Sequence, residues 1–199
     1  MNDQRSLDAI KLHRRRYPLD GPVFTLFAVR STEPERFEVT SSVDSSGTPS
    51  WDIVATMGGN RLLGVLCWAL AFQANEPAVV VIADPLVASQ ADGLLGAPIV
   101  LANTALGVPT AAGLAELVTF LDQPIESQGQ VNTVKLSTRS LTRAMADRDA
   151  FDAAQAELGV KRGAHRTRQW IDVVGGVVVL AASPDVLKSI AVDRAGLTG

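Results

Sequence analysis

The spacing of hydrophobic and polar residues predicts a chain in which strands and helices alternate. Residues 23–29, 78–83 and 98–102 are short apolar runs, the pattern of strands that are buried on both faces. Residues 131–137 favour another strand. A helix that begins at Arg61 is apolar on nearly all sides, and such a helix is expected in the core.

A hairpin is predicted near each end of the chain. Segments 37–43 and 51–57 alternate between apolar and polar residues and are separated by a loop, so we expect them to pair antiparallel. Their inward side chains are Phe37, Val39, Val43, Trp51, Ile53 and Met57. Segments 169–174 and 177–182 flank a pair of glycines, which favour a two-residue turn with positive φ.

Four more helices are predicted from their caps and apolar stripes. They are 3–16, ended by the turn 18–22; 111–121, capped by Thr110; a long helix from Ser140 to a C-cap at Gly159; and a last helix with Ser183 as N-cap and Pro184 at its first position. About eight strands and five helices indicate one α/β domain over residues 1–199, built on a mixed sheet, with 1–22 as an appended helix and turn. An α+β arrangement is the alternative.

Composition limits the chemistry that this domain can carry. The chain has 199 residues, of which 47% are hydrophobic and 20% are charged, and it contains one cysteine. A single cysteine excludes an internal disulfide and a cysteine-based zinc module. Cys67 lies in the apolar helix, where a reactive thiolate is disfavoured. His13 and His165 have no metal-ligand spacing, so the sequence predicts neither a metal site nor a cofactor.

Charge is distributed unevenly along the chain. Residues 62–115 carry only three of the 18 basic and 21 acidic side chains. With a mean hydropathy of +0.18 for the whole chain, this stretch is either core or a surface covered by a partner, and self-association is expected. Proline and glycine interrupt the uncharged run 93–115, so no membrane span is predicted. Because the N-terminus lacks an apolar signal core, a cytoplasmic protein is expected.

The segment closest to a phosphate-binding pattern is Gly58-Gly59-Asn60-Arg61. It follows a predicted strand and opens a predicted helix, where free backbone N–H groups and the helix dipole favour an anion. Glycine lets a ligand approach the backbone, and Arg61 offers a bidentate donor to a phosphate or a carboxylate. The alternative is a tight turn with Asn60 as an ordinary N-cap.

Two aspartates differ in the strand positions that they occupy. Asp84 follows the strand 78–83, and open α/β sheets place ligands at the carboxyl ends of parallel strands. The alternative is that Asp84 and Pro85 simply start a turn. Asp172 lies inside a strand, where it is expected to be a solvent-facing charge that protects a sheet edge.

Basic residues cluster in segments 11–16 and 161–168. Besides Lys11, they are Arg14, Arg15, Arg16, Lys161, Arg162, Arg166 and Arg168. If the two segments meet in space, they form a basic patch for nucleic acid or for an acidic protein. The alternative is a solvated helix end and a polar loop.

Two functions are consistent with these patterns. The first is a homo-oligomeric α/β protein that binds an anionic small molecule, bearing phosphate or carboxylate, at residues 58–61 and Asp84. The second is a non-enzymatic assembly subunit that packs through residues 62–115 and whose basic segments 11–16 and 161–168 contact nucleic acid or an acidic partner. The sequence shows no nucleophile with a partner base, so enzymatic activity is left open.

Overall fold

A computed structural model of the chain describes residues 10–29, 36–43, 49–83, 86–89, 97–122, 132–136, 138–162 and 169–196. The described strands are β1 (Ile10–Pro18), β2 (Val23–Val29), β3 (Arg36–Val43), β4 (Pro49–Ala55), β5 (Ala78–Ile82), β6 (Leu86–Ser89), β7 (Ile99–Asn103), β8 (Asn132–Leu136), β9 (Gln169–Val174) and β10 (Val177–Ala182). The described helices are α1 (Met57–Ala71), α2 (Ala111–Leu121), α3 (Arg139–Ala146), α4 (Arg148–Arg162) and α5 (Pro184–Gly196). The fold is α/β, as predicted.

Seven strands form one mixed sheet in the order β8-β1-β2-β5-β7-β10-β9, and three form a second sheet in the order β4-β3-β6. In the large sheet, β2 is parallel to β5 and β7 is parallel to β10, while β5 and β7 are antiparallel to each other. The two parallel pairs therefore run in opposite directions. In the small sheet, β3 and β6 are parallel. Along the chain β3 follows β2 and β6 follows β5, so the parallel pair β2 and β5 leads into the parallel pair β3 and β6.

Helices cover both faces of the large sheet. On one face α1 and α5 bury side chains such as Leu66 and Leu187 against Phe27 and Leu101. On the other face α2 buries Leu117 and its neighbours against the opposite side of the same strands. This arrangement explains the low charge of residues 62–115: α1, β5 and β7 are almost wholly buried within the chain itself.

Helices α1 and α5 cross at very short range, and a glycine makes this possible. A Cβ placed on Gly64 would lie 2.8 Å from the Ala191 carbonyl oxygen and 2.9 Å from the Ala195 nitrogen. Any larger residue would push the two helices apart. The helices are antiparallel, since Arg194 near the end of α5 contacts Asn60 at the start of α1.

Most predicted strands and both hairpins are confirmed. β3 pairs with β4 and β9 pairs with β10, both antiparallel. The turn between β9 and β10 has φ of +60° at Gly175 and +79° at Gly176, which is the conformation that two glycines favour. Helix α2 has the predicted bounds, and the Thr110 hydroxyl accepts a hydrogen bond from the Gly113 N–H at 3.1 Å. Asp172 is exposed on β9, an edge strand of the described sheet.

The predicted helix over residues 3–16 is wrong in its described part, because residues 10–16 belong to strand β1. β1 pairs with β2 on one side and with β8 on the other. Its side chains alternate: Leu12 is buried on one face and Tyr17 packs on the other. Sheet pairing therefore decides the conformation of this segment, against a local pattern that favoured a helix.

Three boundaries also differ from prediction. Helix α1 starts at Met57, so Met57 is 61% exposed rather than inward, and Val43 at the end of β3 is 69% exposed. The long helix predicted from Ser140 is divided at Asp147, whose carboxylate accepts a hydrogen bond from the Ala150 N–H, and residue 159 lies within α4 rather than at a cap. Strand β6 was not predicted.

Candidate functional site

The opposed parallel pairs give the large sheet two edges at which a helix begins. We call the first the Asn60 edge, where β2 and β5 end and α1 begins. We call the second the Ser183 edge, where β7 and β10 end and α5 begins. Ligands of open α/β sheets bind outside the carboxyl ends of the strands, so each edge is a candidate site.

At the Asn60 edge, the predicted Gly58-Gly59-Asn60-Arg61 segment forms the first turn of α1. Thr56 rather than Asn60 is the N-cap, and its hydroxyl accepts a hydrogen bond from the Gly59 N–H at 3.3 Å. The Asn60 amide instead ties three elements together. Its Nδ2 donates to the Ala55 carbonyl at 2.9 Å, and its Oδ1 accepts from Arg194 at 3.2 Å.

These contacts give the turn an architectural role. Gly59 and Asn60 are buried, and Arg194 also contacts the Asp52 carboxylate at 3.3 Å. That carboxylate already supplies negative charge beside the helix N-terminus. Arg61 is half-buried, and Asp84 lies outside the described residues. Anion binding at this turn stays a prediction.

At the Ser183 edge, β7 and β10 end side by side. The Thr104 N–H donates to the Ala182 carbonyl at 3.0 Å. The amide of Asn103, which is fully buried, lies 3.5 Å from the carbonyls of Leu70 and Gln73 at the end of α1, and its Oδ1 accepts from the Ala105 N–H. Asn103 therefore holds the end of α1 against this edge of the sheet.

The N-cap of α5 is unlike the caps of α1 and α2. Ser183 is only 7% exposed, yet its hydroxyl has no hydrogen-bond partner among the residues that the structure describes. A serine at this position ordinarily accepts a hydrogen bond from the first-turn N–H groups. Since a buried hydroxyl without a partner costs free energy, the N-terminus of α5 has an unused polar group where a ligand oxygen would be stabilised.

A lysine and an exposed phenylalanine stand beside this N-terminus. The Lys188 ammonium is 3.7 Å from the Asp185 carboxylate and 5.0 Å from the centre of the Phe72 ring. Phe72 ends α1 and is 57% exposed. One cation therefore contacts both the first turn of α5 and an open aromatic surface.

The basic residues of β1 divide between the two faces of the sheet. Arg14 and Arg16 lie on one face and contact Glu76, at 2.9 Å and 3.8 Å, in the connection that follows α1. Arg15 lies on the other face, 5.5 Å from the centre of the Phe120 ring. The predicted patch over residues 11–16 is thus not one surface, and Arg14 and Arg16 pair with Glu76 just before β5 begins.

Helix α4, which contains the first two residues of the second basic segment, runs toward the start of α5. Arg148 contacts Asp193 near the end of α5, while the Gln155 amide donates to the Asp185 carbonyl at its start, at 2.9 Å. Helix α4 therefore runs antiparallel to α5, and its last residues, Lys161 and Arg162, follow the point at which it passes the α5 N-terminus. Residues 163–168, which include Arg166 and Arg168, lie outside the described residues. Binding of nucleic acid or an acidic protein stays a prediction.

Arg15 and His13 line a recess between β1 and α2, with Leu26, Ala28, Leu117 and Phe120 among its apolar walls. The recess encloses about 20 Å³, which is room for one water molecule. Such a volume does not accommodate a substrate without rearrangement.

The described residues do not favour a reactive thiol or a metal site. Cys67 is buried in α1, and burial raises the pKa of its thiol to about 12, as expected for an unreactive core cysteine. Within the described ranges, no group of three or more His, Cys, Asp or Glu side chains is placed to hold a metal ion. The same ranges hold no helix with the length and hydropathy needed to cross a bilayer.

From the sequence, Ser183 is predicted only as a helix cap, and no pattern distinguishes Phe72 or Lys188 as binding residues. The signal for this site was the junction of a buried strand, 177–182, with the helix opening Ser183-Pro184-Asp185. Comparisons of the chain with protein-family models, curated proteins and solved structures found no match.

Proposed function

We propose that this chain binds an anionic small molecule, bearing phosphate or carboxylate, at the Ser183 edge. The observation that carries the proposal is the buried Ser183 hydroxyl, which lacks a partner among the described residues at the start of a 13-residue helix. Helix N-termini attract anions through the dipole and through N–H donors. The ligand class is the one that the sequence favoured, while the site differs from residues 58–61.

The charges around this edge support an anionic ligand. Lys188 is the cation that contacts the first turn of α5, whereas Arg14 and Arg16 of β1 pair with Glu76, and β1 is separated from β10 by β2, β5 and β7. The Lys188 and Asp185 side chains are only 20% and 18% exposed, so this pair is shielded from solvent more than a surface ion pair is. A phosphate that contacts Lys188 and the α5 N-terminus therefore gains charge-assisted hydrogen bonds.

The contacts at this edge support binding rather than nucleophilic catalysis. No base contacts the Ser183 hydroxyl among the described residues, and an unassisted serine is a weak nucleophile. Binding alone accounts for the groups present.

Isothermal titration with inorganic phosphate tests the proposal. We expect saturable one-to-one binding to the wild-type protein and about tenfold weaker binding to Lys188→Gln, since a charge-assisted contact is lost. The matched control is Arg61→Gln, which removes a half-buried cation at the start of α1 and should bind phosphate as the wild type does.

Two results would overturn this proposal. One is the absence of saturable phosphate binding by the wild-type protein at low ionic strength. The other is the reverse pattern, in which Arg61→Gln abolishes binding and Lys188→Gln has no effect. That second result would return the site to the Asn60 edge.

A further inference from the structure

The exposed ring of Phe72 identifies which kind of anion fits the Ser183 edge. Resting on the proposed function, we infer that the ligand carries a planar aromatic ring beside its anionic group, as a nucleoside monophosphate does. The ring stacks on Phe72 while the phosphate contacts Lys188 and the N-terminus of α5.

Phe72 stays more than half exposed although the side chains of Trp68 and Lys188 contact its ring. The ring centre is 5.3 Å from that of Trp68, which is buried, and 5.0 Å from the Lys188 ammonium, yet the residue remains 57% exposed. Here the fixed neighbours hold the ring in place, so a ligand ring can stack without first ordering it.

Lys188 links the ring to the anion site. Its ammonium contacts both Phe72 and the Asp185 carboxylate of the first turn of α5. A ligand ring that stacks on Phe72 therefore lies beside Lys188, the cation that also contacts the first turn of α5. Inorganic phosphate contacts only Lys188 and the N-terminus of α5, and an uncharged aromatic compound contacts only Phe72.

Base stacking on an aromatic side chain contributes measurably and does not depend on which base is present. The proposal therefore specifies a ring and a phosphate rather than a particular base. It also assigns a function to a side chain that the packing of the chain leaves exposed.

The test compares two ligands that differ only in the base: adenosine 5′-monophosphate and ribose 5-phosphate. Titration calorimetry should show the nucleotide binding about tenfold more tightly to the wild-type protein. Phe72→Leu should reduce nucleotide affinity to that of ribose 5-phosphate and leave ribose 5-phosphate unchanged. Phe72→Tyr retains the ring and should keep the wild-type preference, and Met57→Leu serves as a control for an exposed apolar residue at the other edge.

The outcomes separate this inference from the function on which it rests. If both ligands bind the wild type equally, or if Phe72→Leu weakens both by the same factor, the ring has no role and the inference is overturned while anion binding stands. If neither ligand nor inorganic phosphate binds, the proposed function fails and the inference fails with it.

Discussion

The two edges of the large sheet are built from the same parts and use them differently. At each, two parallel strands end and a helix begins, with an arginine or lysine beside the first turns. At the Asn60 edge, the capping hydroxyl and the buried amide are both engaged: Thr56 caps α1, and Asn60 binds Ala55 and Arg194. At the Ser183 edge, the capping hydroxyl has no partner among the described residues.

This difference separates a structural junction from a candidate binding site. The chain continues from β2 and β5 into the parallel strands β3 and β6 of the second sheet, so the Asn60 edge connects two sheets. At the Ser183 edge the chain continues from β10 into helix α5 and from β7 into the turn after Asn103, and neither segment is a strand of the second sheet. A helix N-terminus of suitable sequence is therefore not sufficient for a ligand site, because the fold can use the same donors for itself.

The largest effect is expected where α1 and α5 cross, because this contact positions both edges. Gly64→Val places side-chain atoms where even a Cβ would be 2.8 Å from a backbone oxygen. We expect a loss of about 3 kcal/mol of unfolding free energy, measured by urea titration. Gly196→Val is the control, since nothing lies within 4 Å of its Cβ position. Equal stability of the two variants would show that α1 and α5 do not pack as described.

The burial of Cys67 in the core between the two edges makes the unfolding free energy depend on pH. Burial raises its pKa from 9.0 to about 12. The folded state therefore holds the thiol proton more tightly than the unfolded state, and the resulting stability is present below pH 9 and is lost as the pH rises toward 12. At pH 10.5 the loss should be about 2 kcal/mol relative to pH 8.

Cys67→Ala removes the pH dependence that the thiol contributes. The unfolding free energy of this variant in urea should therefore fall less over the same pH interval, because the other titrating groups are the same in both proteins. Parallel pH profiles of the variant and the wild type would mean that the thiol is not buried.

The engaged amide at the Asn60 edge should matter for stability and not for binding. Asn60→Ala removes one hydrogen bond from the Ala55 carbonyl and one from the Arg194 guanidinium, which keeps its contact with Asp52. We expect a loss of between about 1 and 2 kcal/mol in thermal or urea unfolding. Phosphate affinity of the folded variant should equal that of the wild type. A stable variant that had lost phosphate binding would reverse the roles assigned to the two edges.

The smallest effect is expected from the exposed ion pairs of β1. Glu76→Gln removes the carboxylate that contacts Arg14 and Arg16 and should change stability by less than about 1 kcal/mol. Because three strands separate β1 from β10, phosphate affinity should stay within about twofold of the wild-type value even at low salt. A larger change in phosphate affinity would show that Arg14 and Arg16 reach the ligand.

The sequence was most informative where local pattern and tertiary environment agree. Buried strands such as β5 and β7 are apolar throughout, and the glycine pair at residues 175 and 176 matches a turn that needs positive φ. The Thr110 cap gave the start of α2. In each of these segments, a requirement of a few neighbouring residues determines the local structure: an apolar strand, a turn with positive φ or a helix cap.

The sequence was misleading where distant pairing decides. Residues 10–16 become a strand because β2 and β8 supply hydrogen bonds on both sides, and no local pattern reveals those partners. The candidate site shares this limitation. Ser183 and Phe72 are 111 positions apart, and they approach one another only through Lys188 and the antiparallel packing of α1 and α5.

The most direct test of the contrast between the edges is phosphate titration of Ser183→Ala together with its unfolding free energy. Because the hydroxyl makes no hydrogen bond that the structure describes, its removal should leave the unfolding free energy within about 0.5 kcal/mol of the wild type. Phosphate should bind this variant about tenfold more weakly, since a hydrogen bond to a charged ligand is lost. Unchanged phosphate affinity in a stable Ser183→Ala protein would contradict the assignment of the site to this edge.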